Sequence, residues 1–197
     1  MPKAITRFGI PAMLIVGGLF VVVALFSASN QPKTGSSGLK RYAKGDLASL
    51  ELSAGKAAPS GEFDNAEGKA VSLQDFNGEV VVLNIWFEAC PPCEEEMPSL
   101  GRLQEAVQDD GVRVVAVAVD REYNRENTRK SLEQWTNGVL DFYFDTTYGI
   151  AYDTGAKGMP TTIIYNRNGE EVARFSGGAD WSSENAIALI KEIASTK

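Results

Sequence analysis

Cys90 and Cys93, separated by Pro91 and Pro92, are the only cysteines of the 197-residue chain, and the chain has no histidine. Two thiols at this spacing close into a disulfide and reopen, which makes them a two-electron couple. The missing histidine removes several rival chemistries. A structural zinc site draws about four Cys, His or carboxylate ligands. A c-type haem needs a histidine directly after the second cysteine, where Glu94 stands. A Cys-His hydrolase would lack its base. No metal and no cofactor is implied. What stays is redox chemistry or an inert local disulfide, and so short a loop makes a weak staple.

The neighbours tune the couple. Pro91 and Pro92 bring no N–H toward the Cys90 sulfur, and Glu94, Glu95 and Glu96 follow Cys93 at once. Missing donors and nearby negative charge both disfavour thiolates, which biases the pair toward giving electrons. Glu96, three residues after Cys93, shares its helix face and could carry its proton during exchange. An acidic residue in the first helical turns is also what the macrodipole alone favours. Asn84 breaks an apolar run six residues before Cys90 and must find a partner or face the site; structural hydrogen bonding is the plainer reading. Pro160, after Met159, either begins a strand or forms a cis bond beside which substrate backbone pairs. Trp86 and Trp181 read as packing residues.

Several elements must position these residues. Residues 80–86 (VVVLNIW) form a strand-prone run of the kind buried on both sheet faces. After Cys93, Met97, Leu100, Leu103 and Val107 fall at helical spacing, with a kink expected at Pro98. Residues 112–119 (VRVVAVAV) read as a second buried strand, closing a right-handed βαβ unit. Residues 124–135 read as a helix and 141–144 as a short strand. Residues 161–165 and 170–175 flank the turn Asn166-Arg167-Asn168-Gly169 as a β-hairpin, and 183–194 close the chain as a helix. Between residues 62 and 78, turn signals at Glu67-Gly68 and Asn77-Gly78 punctuate short extended pieces. This order predicts an α/β sandwich with a central mixed sheet flanked by helices. Cys90 then sits at the carboxyl end of a buried strand and opens a helix, whose N–H groups and dipole favour its thiolate; that makes it the nucleophile and Cys93 the resolving thiol.

The composition fits a soluble domain fixed to a membrane. Residues 8–26 (FGIPAMLIVGGLFVVVALF) carry no charge and follow Lys3 and Arg7, so they read as a transmembrane helix with a cytoplasmic N-terminus. A cleaved signal peptide ending at Ser27-Ala28-Ser29 is the competing reading, although its apolar region would usually be shorter. Either way the rest is exported. All 26 acidic residues follow this segment, which disfavours nucleic acid and anionic surfaces as partners. The sequence therefore divides into residues 1–27, a cytoplasmic stub and membrane anchor; 28–52, a Gly/Ser-rich linker and a weakly amphipathic juxtadomain segment, of which 39–52 reads as a short helix lying on the domain; and 53–197, the redox domain.

Three stretches carry a family resemblance. NIWFEACPPCEEEMPSL (84–100) resembles the active-site stretch of membrane-anchored thiol-disulfide reductases of the TlpA/ResA type, which have a thioredoxin-like fold. GMPTTIIYNRNGEEVARFSGGADWSSENAIALI (158–190) and RYAKGDLASLEL (41–52) are similar to the alphaproteobacterial TlpA branch. The resemblance implies that Cys90 attacks, Cys93 resolves and Glu96 relays the proton. It implies that Pro160 is the cis-proline beside the disulfide, with Met159 as its tuning neighbour, and that Pro91, Pro92, Trp86 and Asn84 support the site. TlpA relatives can carry extra cysteines; this chain has none. The implied clients are exported proteins whose cysteines bind copper during cytochrome oxidase assembly, or apocytochrome c thiols before haem attachment. The implied electron source is a membrane thiol carrier of the DsbD or CcdA kind, and the implied location is the inner membrane with the redox domain in the periplasm. Three other functions use the same motif or fold: a disulfide-forming oxidase, a copper-binding or thioredoxin-like assembly chaperone without turnover, and a thiol peroxidase.

Overall fold

The computed structural model describes residues 36–196. The expected anchor at residues 8–26 lies outside them. Among the described residues no helix is long and apolar enough to cross a membrane.

Strands β1 (Glu51–Leu52), β2 (Glu62–Asn65) and β3 (Ala70–Ser72) precede β4 (Val80–Trp86). Helix α1 (Pro91–Val107) leads to β5 (Val112–Val119), and α2 (Arg125–Thr136) leads to β6 (Tyr143–Asp145). Helix α3 (Gly149–Thr154), the hairpin of β7 (Thr161–Tyr165) and β8 (Glu171–Ser176), and α4 (Glu184–Ser195) follow. One mixed sheet takes the order β1-β8-β7-β4-β5-β6-β2-β3. Its centre is parallel, β4 with β5 and β5 with β6, while β7 lies antiparallel on the other side of β4. This is the central mixed sheet flanked by helices that the sequence order predicts.

Every residue of β4 is buried, because strand β4 is covered on both faces. Side chains alternate across a strand. Val80, Val82 and Trp86 join the cluster formed with Met97, Leu100 and Leu103 of α1 and Ile190 of α4. Val81, Leu83 and Ile85 join the opposite cluster, with Phe63, Leu73 and Ile150. Alternation therefore turns Asn84 toward the α1 side. Helix α1 passes close over α2: a Cβ placed on the buried Gly101 would lie 3.3 Å from the Thr136 Cβ.

Pro98 lies inside α1, where the sequence reading put it. Several boundaries differ from that reading, each for a local reason. Strand β6 begins at Tyr143 rather than Asp141, since its ladder with β5 starts at the Val117–Tyr143 pair. The unexpected α3 is set by the buried Asp145, whose carboxylate accepts the Thr147 N–H at 2.7 Å and the Ile150 N–H at 2.9 Å. Residues 39–52 form helical turns and β1 instead of one helix. Leu39, Leu47 and Leu50 are buried in the main core, and Asn185 of α4 donates to the Tyr42 carbonyl at 2.7 Å.

Candidate active site

Strand register brings three loops to one edge of the sheet. Ile85 of β4 pairs with Thr161 of β7, and Thr161 pairs with Ser176 of β8. The segment from Phe87 to Cys90 after β4, the Met159–Pro160 peptide before β7, and residues 177–181 after β8 therefore converge. Parallel strands end there, and loops at that end of an α/β sheet carry the chemistry.

Cys90 is the residue at the start of α1, with Pro91 and Pro92 opening the helix. Proline suits this place because the first helical N–H groups have no partner within the helix. The Cys90 carbonyl accepts the N–H of Cys93 at 2.9 Å and of Glu94 at 3.1 Å. The two sulfurs are joined, with Cα atoms 5.2 Å apart. Cys93 is fully buried, whereas Cys90 keeps 4% of its surface and Pro91, Pro92, Glu94 and Glu95 are exposed except where the helix packs. Of the two cysteines, only Cys90 keeps any surface open to solvent. The Met159–Pro160 bond is cis. Trp86 is buried in the same cluster as both cysteines and meets Trp135 edge-on at 5.8 Å.

Glu96 lies one turn after Cys93, with 3% of its surface exposed. Asn84 Nδ2 donates to its Oε1 at 2.7 Å and also to Thr162 Oγ1 at 3.0 Å. Glu96 Oε2 accepts the Ala179 N–H and the Trp181 indole N–H, both at 3.2 Å. Burial pushes its carboxyl from 4.5 up to about 7, against the downward pull of these three donors. A group titrating near neutrality can both take and return a proton. Ser99 fastens the surroundings: its hydroxyl donates to the Glu96 carbonyl at 2.6 Å and accepts the Trp181 N–H at 3.0 Å. A cleft of about 460 Å³ reaches Glu96 from outside, walled by Asp46, Pro92, Glu95, Arg102 and Asp180.

The structure thus brings Cys90, Cys93, Glu96, Asn84 and the Met159–Pro160 bond to one place. Trp181, read from sequence as packing alone, is fully buried and holds the Glu96 carboxylate through its indole. Ala179, Ser99 and Thr162 were not singled out. Ser99 stands three residues after Glu96 on the same helix face, which is a signal. Ala179 acts through a backbone N–H and carries none.

A family model described as Redoxin matches residues 53–190. The thiol-disulfide oxidoreductase ResA of Halalkalibacterium halodurans is 30% identical over 142 residues, covering 70% of this chain and 77% of that protein. ResA of Bacillus anthracis is 29% identical over 184 residues, covering 89% and 95%. A DsbE-type thiol:disulfide interchange protein of Chlorobium tepidum superposes with a TM-score of 0.63 at 26% identity, over 73% of this chain and 99% of that one.

Proposed function

The chain belongs to the redoxin family and is a thiol-disulfide oxidoreductase; we propose that it works as a reductant of cysteines in exported client proteins. In this reading residues 8–26 anchor it in the inner membrane with the redox domain in the periplasm. Its clients are the copper-binding cysteines of cytochrome oxidase assembly or the thiols of apocytochrome c. A membrane thiol carrier of the DsbD or CcdA kind returns it to the dithiol form.

Cys90, as thiolate, attacks one sulfur of the client disulfide; a mixed disulfide forms and one client thiolate leaves. Cys93 then gives its proton to the Glu96 carboxylate, and its thiolate attacks the Cys90 sulfur. The Cys90–Cys93 bond forms, the second client thiolate departs, and two electrons have passed to the client. Glu96 releases its proton through the cleft or to the departing thiolate. Asn84, Ala179 and Trp181 hold the carboxylate in place throughout.

The observation that carries this reading is a disulfide at a helix start between Cys90, which keeps a little surface, and the fully buried Cys93, with a buried carboxyl poised near neutrality one turn away. Cys93→Ser should leave Cys90 bound to its client as a mixed disulfide, recoverable and identifiable by mass spectrometry. Trapping by Cys90→Ser instead, with nothing held by Cys93→Ser, would reverse the roles.

A further inference from the structure

Among the described residues, Asn84 Oδ1 is a buried side-chain atom with no hydrogen-bond partner. Its own nitrogen has two, Glu96 Oε1 and Thr162 Oγ1. An amide that spends both donors and leaves its oxygen orphaned in a fully buried place needs a reason. Glu96 supplies one. Its carboxylate is met by three donors: the Ala179 N–H, the Trp181 indole N–H and Asn84 Nδ2. That set suits an ionised carboxylate. A protonated Glu96 must donate, and an amide N–H or an indole N–H cannot accept. Asn84 alone of the three partners can present an acceptor in the same volume, because the oxygen and nitrogen ends of an amide are nearly the same size.

We propose that the Asn84 amide is a two-position switch that follows the proton on Glu96, turning its oxygen to the carboxyl when Glu96 holds the proton and its nitrogen when it does not. Thr162 makes the turn feasible, since its hydroxyl accepts from Nδ2 in one position and donates to Oδ1 in the other. In the protonated state Oδ1 accepts from both the Glu96 O–H and the Thr162 O–H, and Nδ2 takes the place of the orphan. Each position leaves one polar atom unsatisfied, so neither is locked and the proton decides. Asn84 is a positioning residue: it keeps Glu96 hydrogen-bonded in both protonation states and so evens out the transfer from Cys93.

The proposal deepens the proton-carrier role given to Glu96 and rests on it. The other titratable or charged groups near Glu96 are Cys93, one turn earlier on α1, and the groups lining its cleft: Glu95 and Arg102 on α1, Asp180 after β8, and Asp46 before β1; from β4 and β7 come the neutral Asn84 and Thr162. With the disulfide closed Cys93 does not titrate, which leaves Glu96 alone at the centre.

The test uses the full-length oxidised chain, isotopically labelled, followed by NMR from pH 4 to pH 9. The Glu96 carboxyl carbon should titrate, and NOEs from the Asn84 Nδ2 hydrogens to the Glu96 methylenes should be present at high pH and lost with the same midpoint. If the carboxyl titrates while those NOEs persist unchanged, the switch is wrong and the proton carrier stands. If the carboxyl does not titrate, both fall. Asn84→Leu separates a switch from a fixed donor by a second route. Loss of a fixed donor to the carboxylate would raise the Glu96 midpoint by about one unit or more. Loss of a switch, which serves both states, should move it by less than about half a unit, well under the size of one charge-assisted hydrogen bond.

Discussion

Glu96 gives the site a pH signature of its own. Burial raises its carboxyl from 4.5 to about 7. Between those values the unfolded chain has lost this proton while the folded chain keeps it, so the folded state binds more protons and stability falls as pH rises. Above pH 7 the full cost is present, on the order of 3 kcal/mol. Denaturant titration of the oxidised protein at pH 4.5 and pH 8 should find this loss in the wild type and not in Glu96→Gln. Equal pH dependence in both would mean that the carboxyl is not perturbed. In turnover, Glu96→Gln should slow resolution of the mixed disulfide by about 10²-fold, the usual contribution of a positioned proton carrier, with the first attack by Cys90 little changed; rapid-quench kinetics separate the two steps.

At the scale of elements, the site depends on how closely α1 lies over its neighbours. Gly101 is the point of closest approach to α2, where an added Cβ would stand 3.3 Å from the Thr136 Cβ and 3.4 Å from its carbonyl oxygen. Gly101→Val should therefore cost about 1–3 kcal/mol by overpacking, read as a lowered midpoint of thermal unfolding. An unchanged midpoint would show that α2 can yield. Much of this scaffold was legible in the sequence. Strands β4 and β5 are largely apolar runs because they are buried on both faces, β7 was marked by the hairpin turn that follows it, and α1 announced itself through Met97, Leu100, Leu103 and Val107. Helix α3 was not legible, because six residues with no apolar stripe are set by one buried side chain, Asp145. The cage around Glu96 was only half legible. Its position after Cys93 is local, but Ala179 and Trp181 reach it from 83 and 85 residues away, and no periodicity encodes that meeting.

The unit described, residues 36–196, is tied together by long-range polar bonds and by residues 39–52. Arg167, in the hairpin turn, donates to the carbonyls of Gly78 at 2.8 Å, Asp110 at 2.9 Å and Ala194 at 3.2 Å, joining the starts and ends of three elements. Residues 39–52, expected as a segment lying on the redox domain, place Leu39, Leu47 and Leu50 in the core and pair β1 with β8. Burying a leucine contributes roughly 1.5–3 kcal/mol. A chain starting at residue 53 should consequently be several kcal/mol less stable than one starting at residue 36, by denaturant unfolding; equal stability would show that these leucines only rest on the surface.

On the proposed function the Cys90–Cys93 couple gives electrons, two prolines and three glutamates next to it in sequence disfavouring the thiolate form. Equilibration of the protein against glutathione measures that directly. A midpoint potential on the reducing side, about −220 to −270 mV in the range of glutaredoxins and thioredoxin, is the predicted result. A value near about −120 mV, where strong disulfide-forming oxidants lie, would contradict it.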